Sequence, residues 1–150
     1  MKNINKGYLL TSILVTVIIW FNSFLPADIS GAQSGFIVSN VMSVLNVFGI
    51  QVDLSLLSLI IRKLAHFVQF FILGFLWFKT FHAPKRMISI SVLLAIVICY
   101  MTAIIDESIQ IFSYGRVFSV IDILIDQLGA TLSILITAHF AQRKKRKSIR

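Results

Sequence analysis

Acidic side chains are concentrated in residues 106–129 of this 150-residue chain, although that segment lies between two long apolar runs. Charged groups beside or inside a membrane span are costly, and they are usually retained because they pair with a partner or take part in function. Carboxylates can act in acid–base chemistry, and a nearby histidine would extend that chemistry. The catalytic candidates are His66, Asp106, Glu107, Asp122 and Asp126.

Basic and amide side chains recur at helical spacing with these candidates. Guanidinium groups suit phosphate or carboxylate ligands, so these residues are candidates for binding an anion. They are Arg62, Lys63, Gln69, Gln110 and Arg116. Gly129 follows Asp126 on the same predicted helix face and would let another helix approach closely. No metal site is assigned, because His66 has no second histidine on its own face, and the cofactor is unknown.

A purely structural role is an open alternative for the same residues. Arg62 or Arg116 could pair with Asp122 or Asp126 and hold three helices together. The chain has no P-loop, GxGxxG, CxxC or GxSxG motif that would indicate a particular enzyme. Its single cysteine, Cys99, excludes an internal disulfide.

The composition indicates an all-α integral membrane protein. The chain is 57% hydrophobic and 13% charged, with a mean hydropathy of +0.90, whereas soluble domains are about a quarter charged. We predict one domain, 1–150, with four transmembrane helices at about residues 8–25, 60–80, 87–105 and 117–140. An amphipathic helix is predicted between the first two spans, because apolar residues recur at helical spacing from Ile37 to Phe48. Gly49 would end this helix, and Asp53 would cap the next one.

Basic residues predict the orientation of the four spans. They flank the two chain ends and the turn at residues 82–86, and the tail 141–150 is strongly basic. The positive-inside rule therefore places both termini in the cytoplasm. The same distribution accounts for the net charge of +8 by contact with anionic lipid, without a nucleic-acid partner.

Three motifs in order resemble the VanZ-like family of small bacterial membrane proteins. They are RKLAHFVQFFILG at 62–74, DESIQ at 106–110 and GRVFSVIDILIDQLG at 115–129. The chain departs from the family pattern at Gln69 and Phe70, where glutamate and tyrosine are frequent, and at Ser133, where a second glycine is common. Gln69 can form hydrogen bonds but cannot titrate, which argues against an acid–base role at that position.

The resemblance implies a multi-pass protein of the bacterial cell membrane. The founding member of the family is linked to low-level resistance to the lipoglycopeptide teicoplanin. The leading hypothesis is therefore a cell-envelope protein whose extracytoplasmic pocket binds an anionic lipid headgroup, a lipid-linked envelope intermediate or a lipoglycopeptide. One alternative is an integral-membrane enzyme acting on a lipid-linked or envelope substrate, in which His66 and the acids would form an acid–base or metal set. The other is a structural assembly subunit. The sequence leaves the oligomeric state open.

Overall fold

Every regular element in the part of the chain that the computed structural model describes, residues 4–83 and 87–147, is a helix. The helices are α1 (Lys6–Ser23), α2 (Ala27–Val47), α3 (Leu54–Phe81), α4 (Ile88–Gln110) and α5 (Val120–Lys147). Four helices among the described residues, α1, α3, α4 and α5, are long and apolar enough to cross a membrane. The all-α membrane class is therefore confirmed.

Each of the four long helices extends beyond its predicted span at one end or more. Helix α3 begins at Leu54, where Asp53 caps it by accepting hydrogen bonds from the backbone N–H groups of Ser55 and Leu56. Helix α4 continues to Gln110, five residues past the predicted end at 105. The polar residues that suggested an earlier end are buried inside the bundle, so they continue the helix instead of leaving the membrane.

Helix α2 occupies the region predicted to be amphipathic, and it begins ten residues before the predicted apolar pattern. The N–H of Ala27 donates to the carbonyl of Tyr114 at 3.0 Å, which ties the start of α2 to the turn between α4 and α5. Gly49 follows the end of the helix with a φ of 71°, the left-handed conformation that glycine adopts readily. α2 packs against α3 and buries Val38, whereas Phe48 and most of α2 stay exposed.

Glycines allow α3 and α5 to pack closely at the centre of the bundle. A Cβ atom on Gly74 would lie 2.5 Å from the carbonyl oxygen of Ala130. A Cβ on Gly129 would overlap the carbonyl oxygen of Phe67, so the predicted close approach at Gly129 is confirmed. Small residues at such crossings bring the two backbones together, which packs membrane helices without a hydrophobic driving force. This contact fixes the position of α5 relative to α3.

Helix α1 is joined to its neighbours by polar contacts. The hydroxyls of Ser12 and Thr80 are 2.9 Å apart, between α1 and α3. The indole N–H of Trp20 donates to the carbonyl of Thr102 on α4 at 3.2 Å. Hydrogen bonds of this kind contribute to association between helices in lipid. They place the end of α1 beside the end of α4.

The surface and the interior of the bundle differ in polarity in the way a membrane protein requires. Large aliphatic side chains such as Leu10, Leu93 and Leu124 are exposed on the long helices. Such an apolar surface is suited to contact with lipid chains. Carboxylates are buried between the helices at one end of the bundle. The opposite end carries the first described residues, the end of α3 and the end of α5. The prediction that this end faces the cytoplasm stays a prediction.

Candidate functional site

Four carboxylates from two helices lie buried at one end of the bundle. The exposed fractions of Asp106, Glu107, Asp122 and Asp126 are 1%, 0%, 6% and 0%. Asp106 and Glu107 lie in the last turn of α4, and Asp122 and Asp126 lie in the first two turns of α5. Below, these four side chains and His66 are called the acidic cluster. The acids of residues 106–129 therefore lie close together in the folded protein, next to His66 in the first half of α3.

The Asp106 carboxylate is held by donors from two helices. The hydroxyl of Ser23, the last residue of α1, donates to Oδ1 of Asp106 at 2.5 Å. The side-chain amide of Gln110 donates to Oδ2 at 3.3 Å. Ser23 was not among the sequence candidates. The available signal was a serine at the end of an apolar span, which by itself does not indicate a partner.

The Glu107 carboxylate also has a donor on each oxygen. Gln110 donates to Oε1 at 2.8 Å, and the backbone N–H of Ser119 donates to Oε2 at 2.8 Å. Gln110 therefore bridges Asp106 and Glu107. The Ser119 N–H belongs to the segment that precedes α5, so this bond couples the end of α4 to the start of α5. A backbone donor of this kind has no signature in the sequence.

The two acids of α5 pair with α3, but not with the arginines considered above. The ammonium of Lys63 donates to Oδ1 of Asp122. Nδ1 of His66 lies 3.2 Å from Oδ1 of Asp126. The pairing of these acids with Arg62 or Arg116, which the sequence left open as an alternative, is therefore not formed within the described residues. Lys63 and His66 project one turn apart from α3, which matches the one-turn spacing of the two acids on α5.

The two arginines remain available to a ligand. Within residues 4–83 and 87–147, neither the Arg62 nor the Arg116 guanidinium forms a hydrogen bond or an ion pair. Arg62 is exposed and Arg116 is half-buried. Partial burial lowers the pKa of Arg116, with the charge of Arg62 acting in the same direction and Asp106 opposing it. A guanidinium stays protonated despite such a shift, so both side chains are cationic donors.

Two adjoining cavities connect the arginines to the acidic cluster. The larger, about 780 Å³, lies between α2, α3 and the segment before α5. The smaller, about 180 Å³, includes Asp106 of α4 and Gln69 of α3 in its wall. Five residues line both cavities: Ser30, Ser34, Arg62, His66 and Arg116. The wall of the larger cavity also includes Lys63, Gln110 and Asp122. Eight of the ten sequence candidates therefore line this pair of cavities, whereas Glu107 and Asp126 line neither of them. Gln69 forms no side-chain hydrogen bond within the described residues.

A third cavity, about 960 Å³, lies at the opposite end of the bundle. The described residues lining it include the basic side chains of Lys79, His82, Lys144 and Lys145, together with many apolar ones, but no carboxylate. Burial lowers the pKa of His82, and the charges of Lys79 and Lys145 add to that effect. This cavity is remote from the acidic cluster and lacks its acid–base groups. The candidate functional site is therefore the pair of cavities at the acidic end.

One group within the acidic cluster has the composition of a metal-ligand set. A ring nitrogen of His66 and one carboxylate oxygen each of Asp106 and Glu107 lie within 4.8 Å of one another. The sequence left open that His66 and these acids could hold a metal, but no metal was assigned, because His66 has no second histidine on its own helix face. The three side chains come from two helices. Spacing along one helix cannot reveal such a set.

These features define a small all-helical integral membrane protein with a polar site at one end of its helical bundle, where two arginines and a histidine lie beside buried carboxylates. The chain belongs to the VanZ/LLP1 family, whose sequence profile matches residues 8–141. The resemblance seen in the three motifs is thereby confirmed. No curated protein and no solved structure matched the chain.

Proposed function

We propose that this protein acts in the bacterial cell envelope and binds an anionic headgroup, from a lipid or a lipid-linked envelope intermediate, in its larger polar cavity. The observation that carries the proposal is the pair of guanidinium groups, Arg62 and Arg116, that face this cavity without a carboxylate partner among the described residues. Guanidinium groups bind phosphate with two parallel hydrogen bonds. A third cation, Lys63, is already engaged by Asp122.

The position of the cavity supports a ligand that arrives from the membrane. Its wall includes serines of α2, among them Ser30 and Ser34, and apolar residues such as Leu59 and Val120. An amphiphile could place its headgroup among the polar side chains while its chain remains against the exposed aliphatic surface of the bundle. The proposed consequence is a change in the availability of envelope components that lipoglycopeptides use, in keeping with the family's link to teicoplanin.

The orientation of the protein is part of this proposal. With both termini in the cytoplasm, the polar cavity opens toward the outer leaflet, where envelope intermediates are exposed to such antibiotics. The basic residues near the ends of the chain support that orientation. A reporter that fluoresces only in the cytoplasm, fused after Arg150, is expected to be bright. A dark reporter on a stably inserted, full-length fusion would contradict the orientation.

The proposed function predicts a selective change in antibiotic susceptibility. Overexpression in a susceptible bacterium is expected to raise the inhibitory concentration of teicoplanin, with a smaller change for vancomycin, which lacks a lipid chain. Deletion of the gene from its own host should have the opposite effect. Membrane abundance is measured in parallel by immunoblot. Equal responses to both antibiotics, or none at verified abundance, would count against the proposal.

The binding step is measurable on purified protein in a neutral detergent. We expect saturable binding of short-chain phosphatidic acid by isothermal titration calorimetry and no binding of the matching phosphatidylcholine. Inorganic phosphate distinguishes recognition of the phosphate alone from recognition of a lipid. If neither phosphatidic acid nor inorganic phosphate binds, the anion site is contradicted.

An enzyme acting on a lipid-linked substrate is the second candidate. The observation that favours it is the buried pair of His66 and Asp126 beside Asp106, an arrangement able to move a proton. Release of phosphate from a polyprenyl diphosphate by the wild-type protein, lost in Asp106→Asn, would support this candidate. Lack of turnover by protein that binds phosphatidic acid would favour binding alone.

A further inference from the structure

We propose that His66, Asp106 and Glu107 form a binding site for a divalent metal ion. Their potential ligand atoms, one from each side chain, already lie within 4.8 Å of one another. His66 belongs to α3, and the two acids belong to adjacent positions of α4. An ion at this point would join these two helices beneath the smaller cavity, whose wall includes His66 and Asp106.

The charges in the interior favour a cation at this place. Asp106, Glu107 and Asp126 are almost completely buried. Lys63 pairs with Asp122, which leaves His66 as the one basic side chain that bonds to any of these three acids among the described residues. Their carboxylates also repel one another, since Asp106 interacts with both Asp126 and Glu107. Buried charges are costly without a partner, and a divalent cation would supply the missing positive charge.

Asp126 provides an independent indication of a ligand. Its Oδ1 holds Nδ1 of His66 at 3.2 Å, while its Oδ2 is fully buried and has no hydrogen-bond partner within the described part of the chain. A carboxylate that orients a metal-bound histidine through the other ring nitrogen is a common arrangement. Nδ1 would donate to Asp126 and Nε2 would bind the ion. A water molecule on the ion could then donate to the free oxygen of Asp126.

The carboxylates of the proposed site are held in place while keeping the capacity to bind an ion. Ser23 and Gln110 donate to Asp106, and Gln110 and the Ser119 N–H donate to Glu107. Each of these oxygens has a second lone pair. Hydrogen bonds from outside the ligand set orient the carboxylates that bind metals in proteins. The surroundings are therefore suited to fix the ligands before the ion arrives.

The ligand types indicate which ions to expect. One imidazole nitrogen with two carboxylate oxygens suits Zn²⁺ or Mn²⁺ better than Ca²⁺, which prefers oxygen ligands alone. Three protein ligands leave positions open for water or for an oxygen of a bound anion. The role of the ion rests on the proposed function, since the ion would help Arg62 and Arg116 to hold a phosphate. Its binding does not depend on that function.

Binding is tested on the full-length protein in neutral detergent, without phosphate, by titration with Mn²⁺ and detection of free Mn²⁺ by electron paramagnetic resonance. We expect one saturable site, also occupied by Zn²⁺ in competition. Ligand replacements His66→Gln and Glu107→Gln should weaken binding by about 100-fold or more, and Asp126→Asn by about 10–100-fold. Asp53→Asn, a matched carboxylate-to-amide change that preserves the cap of α3, should bind as the wild type does.

Pulsed electron paramagnetic resonance of Mn²⁺ on the wild-type protein keeps the proposal testable when a variant fails to fold. Modulation from one imidazole nitrogen is expected. No saturable site, no nitrogen coupling, or unchanged affinity in folded His66→Gln and Glu107→Gln would overturn the metal site. Metal binding without phosphatidic acid binding would leave this site standing and defeat the proposed function. Phosphatidic acid binding without a metal site would overturn the metal proposal and leave the proposed function standing.

Discussion

Replacement of His66 by leucine is expected to lower the free energy of unfolding by about 3–5 kcal/mol, because it leaves the buried Asp126 carboxylate without its partner. Nδ1 of His66 is 3.2 Å from Asp126, and the side chain of Asp126 is completely buried. Reversible unfolding in mixed micelles, followed by circular dichroism, measures the change.

The double variant His66→Leu/Asp126→Leu separates structure from function. Apolar replacement of both members of a buried pair is often neutral or stabilising, so the double variant is expected to recover most of the lost stability. The cycle of two single variants and one double variant gives the coupling energy directly. Recovery of stability without recovery of antibiotic or binding phenotype supports a functional pair. Recovery of both would favour the structural subunit, and an unchanged stability in His66→Leu would contradict the pairing itself.

The double variant Arg62→Ala/Arg116→Ala is expected to show the largest loss of anion binding with little loss of stability. Each hydrogen bond to a charged group contributes about 1.5–3 kcal/mol, so binding of short-chain phosphatidic acid should weaken by about 100-fold or more. Neither guanidinium pairs with a carboxylate within the described residues, so the free energy of unfolding should change by about 0.5 kcal/mol or less. Calorimetry and unfolding in micelles measure the two quantities.

Two further variants make this result specific. Arg143→Ala removes an exposed arginine near the end of α5, remote from the site, and is expected to leave binding unchanged. Arg116→Lys keeps the charge but loses the planar fork of donors, so an intermediate affinity is expected. If Arg143→Ala weakens binding as much as the double variant, the anion binds to the basic tail and the proposed cavity is the wrong location.

The apolar runs and the motifs were sufficient to predict the membrane class, the four long helices and the family. Continuous apolar stretches are a strong signal because no other fold tolerates them at this length. The end of α4 was predicted too early, since Asp106, Glu107 and Gln110 look like residues that leave the membrane. Burial among neighbouring helices removes that reason to end the helix.

The pairing of the charged residues required the tertiary structure. The sequence left open a pairing of Arg62 or Arg116 with the acids of α5, since any of these cations could neutralise a buried carboxylate. The rotation of α3 instead directs Lys63 and His66 toward α5. Adjacent residues on a helix point about 100° apart, so a small rotation decides which cation reaches the acid. Sequence spacing fixes the faces of one helix but not its rotation against another.

The sequence alone therefore determined which residues are polar, on which helix each one lies, and that the bundle must cross lipid. Only the tertiary structure decided that Ser23 and the Ser119 backbone support the acids, that both arginines face a cavity, and that His66, Asp106 and Glu107 share a potential metal position. The physical reason is that these relations arise between helices. They depend on the close packing that Gly74 and Gly129 allow, which sets the distance between α3 and α5.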